Sequence, residues 1–295
     1  MLKFFFENLI GILSLFFVIL NTVLLSALLI PLGILKFLIP LDNLRLISTK
    51  FIIKVGELWI FFNKFWVKFL HSPNWEIIGK ENLSSEEWSI ATSNHQSEAD
   101  IFLLQDITNR KIPMLKFFMK YILIYVPIIG LSWWALDMPF LKRYSKKDLE
   151  KNPNLKGKDH EEMKRALKHY NTYPVTVFSF AEGTRLTKVK HSLQLSPYIN
   201  LLKPKEGGLA TAISLVPKID SFINFTIIYK SNKRGFWDYL CGRINKAKIV
   251  IEKIPIPNKF RKSDLVENET LRREFKTWLN NIWENKDILI NNSKY

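Results

Sequence analysis

The chain has 295 residues, a formal net charge of +16 and one cysteine, Cys241. This length suits one large domain or two small ones and can bury a substantial core. A single cysteine excludes a disulfide framework and a cysteine-based zinc site. The basic balance favours an anionic partner: nucleic acid, anionic lipid or a phosphorylated substrate.

The first 40 residues are predicted to enter a membrane. Residues 8–35 carry no charged side chain, and about 20 apolar residues suffice to span a bilayer as a helix. The run is too long for the apolar part of a cleaved signal peptide. Pro31 and Gly33 can break the helix, so we expect a span followed by a shallower helix, or a hairpin in one leaflet.

Positive charge predicts the orientation of this anchor. Only Lys3 precedes the apolar run, whereas six cations follow it: Lys36, Arg45, Lys50, Lys54, Lys64 and Lys68. The excess places the following domain on the cytoplasmic side. Residues 51–70 mix aromatic side chains with lysines at helical spacing, which favours a helix at the lipid–water interface. An amphipathic helix covering a core is the alternative.

Beyond residue 72, strand-like runs alternate with helical ones. Strands are predicted over 75–78, 88–92, 134–141, 175–180, 223–229 and 248–254, and helices over 100–107, 160–170, 208–214 and 264–284. This alternation predicts an α/β fold, a mixed sheet flanked by helices. Residues 145–157 are polar and lysine-rich and indicate a surface excursion. The predicted division is therefore 1–71 for membrane-anchoring helices and 72–295 for an α/β domain with a C-terminal helix.

A polar cluster, Asn94, His95 and Asp100, follows the predicted strand 88–92. Strand-to-helix loops carry the sites of α/β proteins. A carboxylate that accepts from one ring nitrogen of a histidine leaves the other nitrogen free to act as a general base. The alternative is a solvated loop with Asp100 capping the next helix.

A second cluster follows the predicted strand 175–180: Glu182, Gly183, Thr184 and Arg185. The glycine permits a tight turn, and the arginine offers a planar donor fork that suits phosphate. Glu182 can hold that arginine or a substrate hydroxyl. On its own, the motif also fits a turn with a surface ion pair.

Between the two clusters, residues 113–143 combine long apolar runs with isolated cations. These cations are Lys116, Lys120, Lys142 and Arg143. A cation at the end of an apolar strand suits a ligand with a charged head and an apolar tail. A buried strand whose end meets solvent is the alternative.

The motifs NHQSEAD and FAEGTR resemble two of the four ordered blocks of the glycerophospholipid acyltransferase family, 87 residues apart from His95 to Glu182. Lys116, Pro127, Gly130 and residues 140–143 fit the second block. The fourth block is placed at 215–218. Asp137 stands where many members have glycine. The phrases WWALDMPFLKRYSK and LSPYINLLKPKEGG are similar to a bacterial subgroup of 1-acylglycerol-3-phosphate acyltransferases related to lysocardiolipin acyltransferases.

The resemblance implies a membrane-bound enzyme that moves an acyl group from a thioester of coenzyme A or acyl carrier protein to the free hydroxyl of 1-acylglycerol-3-phosphate. His95 would be the general base and Asp100 its orienting carboxylate. The substrate-binding residues it implies are Asn94, Lys116, Arg143, Glu182, Gly183, Thr184 and Arg185. No metal, cofactor or nucleic acid is implied. The location implied is the bacterial inner membrane, with the catalytic domain on the cytoplasmic side.

Three alternatives stay open. The first is an acyltransferase for another lysophospholipid, as in lysocardiolipin remodelling. The second is a metal-dependent hydrolase using His95, Glu98, Asp100 and Glu182 as ligands. The third is a non-enzymatic membrane protein whose basic surface binds nucleic acid or lipid.

Overall fold

Two long helices open the chain. The structure, a computed structural model, describes residues 2–71, 73–142, 150, 152, 158–261 and 263–293. Helix α1 is Leu2–Leu38 and helix α2 is Asp42–His71. The expected break at Pro31 and Gly33 is wrong, because α1 continues through both. Within the described residues, α1 alone is long and apolar enough to cross a membrane, judged by length and composition.

The two helices pack through small and polar residues. Asn21 donates to Asn63 Oδ1 at 2.9 Å, and the indole of Trp66 donates to Ser14 Oγ at 3.2 Å. The large apolar side chains of α1 face outward instead and include Phe5, Phe16, Ile19, Val23 and Leu28. This arrangement is typical of helices in lipid, where close packing and polar contacts hold the pair together.

A buried polar cluster joins α1 to the rest of the molecule. Lys36 Nζ donates to Ala135 O and to Asp137 Oδ1, each at 2.8 Å. Tyr170 donates to the backbone oxygen of Asp137 at 2.6 Å. Asp137 has a φ of 55°, a backbone conformation that glycine adopts more readily than other residues.

The sheet positions the site. The strands are β1 (Asn74–Ile78), β2 (Ser89–Ser93), β3 (Leu115–Phe117), β4 (Met119–Lys120), β5 (Phe140–Leu141), β6 (Thr176–Ser179), β7 (Ser221–Tyr229) and β8 (Lys246–Pro255). Six of them form one sheet in the order β1-β8-β7-β2-β6-β3, and β4 pairs with β5. All neighbours are parallel except β7 and β8. The predicted mixed sheet is confirmed.

Helices cover both faces of the sheet. They are α3 (Ala99–Thr108), α4 (Ile129–Ala135), α5 (Lys158–Leu167), α6 (Lys188–Leu193), α7 (Gly207–Leu215), α8 (Phe236–Leu240), α9 (Asn258–Arg261) and α10 (Glu269–Asn292). One core holds Leu167 of α5, Leu209 of α7 and Trp283 of α10. The other holds Leu103 of α3 together with Val67 of α2. The predicted flanking helices are thus confirmed.

The predicted strand at 134–141 is wrong. Helix α4 ends at Ala135, and only Phe140–Leu141 is strand. The run begins as the end of helix α4 because α4 packs on α1, where a side-chain carbon added to Gly33 would lie 2.5 Å from Ala135 Cβ. The predicted excursion at 145–157 lies outside the described residues except for 150 and 152. The division between residues 71 and 72 stays a prediction.

Candidate active site

Three parallel strands bring the first two motifs together. Strand β2 lies between β6 and β7 and is parallel to both. The loops that follow these strands therefore meet at one edge of the sheet. His95 lies in the loop after β2, Glu182 follows β6, and Tyr229 is the last residue of β7.

His95 and Asp100 form a hydrogen-bonded pair. His95 Nδ1 lies 2.9 Å from Asp100 Oδ2. The side chain of Asp100 is fully buried, whereas that of His95 is 15% exposed. Nδ1 donates its hydrogen to the carboxylate. Nε2 is therefore the ring nitrogen that can accept a proton. The solvated-loop alternative does not describe this buried pair.

Asp100 is fixed from several sides. The backbone amides of Gln96 and Ser97 donate to its Oδ2 at 2.7 and 2.9 Å. Tyr229 donates to Oδ1 at 2.5 Å. Burial first, and then the charge of Asp100, raises the pKa of Tyr229 well above its usual range, so the phenol remains a donor. The carboxylate is held in one orientation towards the ring.

The second motif clamps the backbone of His95. Glu182 Oε1 accepts from His95 N at 3.3 Å, and Leu186 N donates to His95 O at 2.8 Å. The ring of Phe180 stacks on the imidazole, with centroids 3.8 Å apart and planes 13° apart. The FAEGTR loop therefore positions His95 through main-chain and aromatic contacts.

Glu182 was expected to hold Arg185 or a substrate hydroxyl. Arg185 pairs with Glu98 instead, and the contact with a substrate hydroxyl stays a prediction. Its side chain is buried, and its second oxygen accepts from Leu202 N at 3.2 Å. Burial raises the pKa of Glu182 to about 8. A carboxyl group that accepts from two backbone amides positions the loop.

Lys286 of α10 is a buried lysine whose positive charge attracts the carboxylate of Glu182. It is buried, donates to Phe225 O at 3.0 Å and lies over the ring of Trp283. Burial lowers the pKa of Lys286 to about 7, against the attraction of Glu182 and Glu252. The next residue, Asp287, accepts from the amides of Ile199 and Asn200, both at 2.7 Å.

A cationic rim surrounds the exposed part of this loop. Arg185 is 48% exposed and pairs with Glu98. Lys190 Nζ donates to Thr184 Oγ1 at 2.6 Å. Gly183 has a φ of 69°, and the side chain of Lys205 lies over it. Arg185 and Thr184 are thus placed where a ligand can reach them, while Arg143 lies outside the described residues.

Two further expected binding residues are structural in this fold. Asn94 is buried, and its amide exchanges hydrogen bonds with the backbone of Ile227 at 2.8 and 2.9 Å. Lys116 is buried as well and donates to Leu136 O at 2.6 Å. Burial lowers the pKa of Lys116 to about 8. Backbone groups bond the polar atoms of both side chains in this arrangement, and contact of either side chain with substrate stays a prediction.

The segment 215–218, expected to supply the fourth block, lies at the other end of the sheet. It precedes β7, and the next residues contact the start of β2 through Asp220 N and Trp88 O. The catalytic edge lies at the end of β7 instead. Pro217 is therefore remote from the edge that carries His95.

An apolar cavity of about 480 Å³ lies between the helix pair and the α/β domain. Its lining comes from α1, α2, α3 and α4 and includes Val18, Gly56, Phe102 and Trp133. Phe102 is on α3, two residues after Asp100. The cavity therefore adjoins the helix whose first turn carries the carboxylate of the site.

The sequence analysis missed several residues of this site. No role was predicted for Phe180, although an aromatic residue beside a strand-end loop could have indicated a stacking contact with His95. Tyr229 stood at the end of a predicted strand. Lys286 gave no signal, since it lies in an amphipathic helix far along the chain and only the fold brings it under Glu182.

Comparison with known proteins identifies the family. A family model described as Acyltransferase matches residues 74–228, just over half of the chain and all three strands that carry the site. The chain belongs to the acyltransferase family.

Relatives of this acyltransferase carry a more specific name. Human 1-acyl-sn-glycerol-3-phosphate acyltransferase gamma is 24% identical over 69% of this chain and 53% of its own length. The human delta form is 26% identical over 71% and 52%. This acyltransferase thus spans about half the length of the curated relatives it matches. Its structure is also similar to that of the 1-acyl-sn-glycerophosphate acyltransferase PlsC from Thermotoga maritima, with a TM-score of 0.47 and 18% identity, over 94% of this chain and 97% of that one.

Proposed function

We propose that this protein is a membrane-bound acyltransferase that moves a fatty acyl group from a thioester donor to the free hydroxyl of 1-acylglycerol-3-phosphate, making phosphatidic acid. The observation that carries the proposal is the 2.9 Å contact between His95 Nδ1 and the buried Asp100. It lies beside a cationic rim at the edge of the sheet. The names of the relatives support the choice of acceptor.

His95 acts as the general base. Its Nε2 takes the proton of the acceptor hydroxyl while the hydroxyl oxygen attacks the thioester carbonyl carbon. Asp100 accepts from Nδ1–H and stabilises the imidazolium that forms. When the tetrahedral intermediate breaks down, the C–S bond cleaves and His95 returns the proton to the leaving thiolate. No covalent acyl-enzyme is required.

The cationic rim binds the phosphate of the acceptor. Arg185 exchanges its exposed partner Glu98 for phosphate oxygens, a match for the planar guanidinium fork. Thr184 and Lys190 lie beside it, and Lys205 covers Gly183. Arg143 remains a further proposed contact on the strength of the family resemblance.

Both substrates carry fatty acyl chains, and these chains need lipid or an apolar protein surface around them. The outward apolar faces of α1 and α2 suit contact with lipid, and the cavity behind α3 suits a fatty acyl chain. We place the protein in the bacterial inner membrane with the α/β domain on the cytoplasmic side, following the excess of Lys and Arg after α1.

The test is an acceptor and donor panel. Purified protein in lipid vesicles is given labelled acyl-coenzyme A or acyl carrier protein thioester with several lysophospholipids, and the products are identified by mass spectrometry. We expect phosphatidic acid as the main product. Transfer only to lysocardiolipin or another lysophospholipid would establish the alternative acceptor. Absence of transfer with every pair would overturn the proposal.

The metal-dependent alternative is tested in the same assay. Within the described residues, His, Cys, Asp and Glu form no group of three or more that could hold a metal ion, so no observation favours that function. Activity that persists in excess chelator is the expected result. Loss of activity on chelation, with recovery when zinc or magnesium is returned, would favour the hydrolase-type site instead.

A further inference from the structure

A group of apolar side chains lies fully in solvent just after the FAEGTR motif. Val189, Leu193, Leu195 and Ile199 are 68%, 79%, 81% and 68% exposed. We call these four residues the 189–199 patch. Val189 and Leu193 are four residues apart on α6 and therefore share one face of that helix. Exposed clusters of this kind mark contact with another apolar phase.

Capping hydrogen bonds fix both ends of helix α6, which carries part of the patch. Thr187 caps α6 by accepting from Lys190 N at 3.2 Å. At the other end, Ser196 N donates to His191 O and Leu195 N to Ser192 O, the pattern that ends helices with a left-handed residue. Glycine usually occupies that position, yet here Leu195 does so with a φ of 47°. The backbone accepts this strain while presenting an apolar side chain outward.

The charge on the segment that carries the patch is positive. Residues 183–205 contain Arg185, Lys188, Lys190, Lys203 and Lys205 and no Asp or Glu. The carboxylates of Glu284 and Asp287 lie at the Tyr198 end, where burial first and then these two charges raise the pKa of the phenol. The α6 end of the patch therefore combines exposed apolar side chains with an excess of cations, of which Arg185 pairs with Glu98.

We propose that the 189–199 patch is a second membrane contact, separate from the α1–α2 pair, which inserts its apolar side chains among the lipids of an anionic bilayer surface. Apolar side chains ringed by lysines match acyl chains beneath negative headgroups. A bilayer is favoured over a protein partner because α1 of the same chain is already long and apolar enough to cross a membrane.

The contact has a consequence for the site, and this part rests on the proposed function. Lys190 bonds Thr184 and the backbone oxygen of Arg185. Leu186, next in the chain, donates to the backbone oxygen of His95. A patch seated in the membrane would hold the phosphate rim at headgroup depth, so a lysophospholipid could reach His95 without leaving the interface.

The test measures the depth of a probe and does not depend on activity. Leu193→Cys is labelled with an environment-sensitive fluorophore in the full-length protein and reconstituted into phosphatidylcholine vesicles with or without phosphatidylglycerol. Cys241 is buried, so the introduced thiol is the accessible one. A matched control carries the label at Glu269→Cys, on the exposed start of α10. Lipids with a quencher in the acyl chain report contact.

We expect quenching at position 193, stronger with phosphatidylglycerol, and none at position 269. Equal, water-like signals at both positions would overturn the proposal. So would a signal at 193 that changes only when acyl carrier protein is added, because the patch would then belong to a protein partner. Quenching at 193 in a protein that transfers no acyl group would support the contact while rejecting the proposed function.

A kinetic comparison uses variants that preserve the backbone. Val189→Ser, Leu193→Gln and Leu195→Asn remove the apolar tips together, and Asn tolerates the left-handed conformation at 195. We expect a several-fold higher KM for a lysophospholipid presented in vesicles and an unchanged KM for a short-chain soluble acceptor. Ile78→Ser with Ile288→Ser, exposed apolar residues elsewhere, is the control. An equal rise for both acceptors would contradict a role in membrane contact.

Discussion

Asp100 is the most constrained side chain of the site. It bonds the imidazole of His95, two backbone amides and the phenol of Tyr229 while its own side chain is fully buried. A carboxylate held by four donors keeps its orientation as the imidazole gains and loses a proton. The proposed base and its orienting group are therefore pre-organised before substrate binds.

Lys286 is expected to act through Glu182. Lys286→Met replaces a buried cation with an apolar chain of similar length, and Glu182, whose pKa is about 8, already carries a proton at pH 6, so no charge is left unpaired. We expect little change in Tm at pH 6 but a fall in kcat of up to about 100-fold with a nearly constant KM. The physical reason is that Glu182 moves when the lysine is lost and displaces the backbone of His95, which it holds.

The control for that variant is Lys276→Met, an exposed lysine on the same helix. It should leave both Tm and kcat unchanged. If Lys286→Met instead lowered Tm and kept the kcat of the unmodified protein, Lys286 would serve stability alone and its link to His95 would be rejected.

Glu182 should make stability depend on pH. Its pKa is about 8 in the folded protein against 4.5 for an ordinary glutamate. The folded state therefore keeps a proton that the unfolded state releases, and the free energy of unfolding falls as pH rises through this window. Between about pH 5 and pH 7 we expect Glu182→Gln to flatten that fall, measured by urea unfolding. The exposed control Glu269→Gln should keep the slope of the unmodified protein. If Glu182→Gln kept that slope as well, Glu182 would not cause the pH dependence.

Residues close in sequence were the ones that sequence analysis placed correctly. His95 and Asp100 are five apart and span one loop, so their contact followed from a strand-to-helix reading alone. Asn94 and Glu182 lay in the right motifs, but their burial depends on β7 and on the 199–202 segment. Residue type and motif cannot distinguish a polar side chain that faces substrate from one that binds backbone.

At the scale of elements, close approach at two glycines packs α1 against α4 and α2 against the residue before β3. A Cβ on Gly33 would lie 2.5 Å from Ala135 Cβ, and one on Gly56 would lie 2.6 Å from Met114 Cε. Glycines and serines on the inner faces let the helices and α4 meet, as in membrane helix packing. The predicted strand at 134–141 failed here, because an apolar aromatic run has no period that separates strand from a helix buried against another helix.

Gly33→Leu is expected to separate α1 from α4. The added side chain meets the Ala135 backbone, which cannot rotate away, and the Lys36–Asp137 contact one turn later is lost with it. Overpacking of this kind costs about 1–3 kcal/mol. Thermal unfolding in detergent measures the loss.

The matched control for Gly33→Leu is Ile34→Leu, on the outward face of the same turn. It should leave the Tm close to that of the unmodified protein. Equal stability of the two variants would show that α1 and α4 do not pack as described.

At the scale of the whole molecule, two layers with different chemistry meet at α3. The α1–α2 pair offers an outward apolar face, and the sheet offers a polar edge with His95 and its cationic rim. Helix α3 begins at that edge and packs beneath the pair, so the base lies close to the apolar layer. The proposed transfer of an acyl group from a thioester to a lipid hydroxyl needs this juxtaposition of a polar reaction site with an apolar phase.

The most direct test compares acyl transfer by the unmodified protein and His95→Ala, both purified and reconstituted in lipid vesicles. General-base catalysis is worth roughly 10²–10⁴-fold in rate, so we expect kcat to fall by that much while Tm stays close to that of the unmodified protein. The ring contributes only its bonds to Asp100 and its stack on Phe180, so folding should persist. Turnover by His95→Ala at the rate of the unmodified protein would contradict the account.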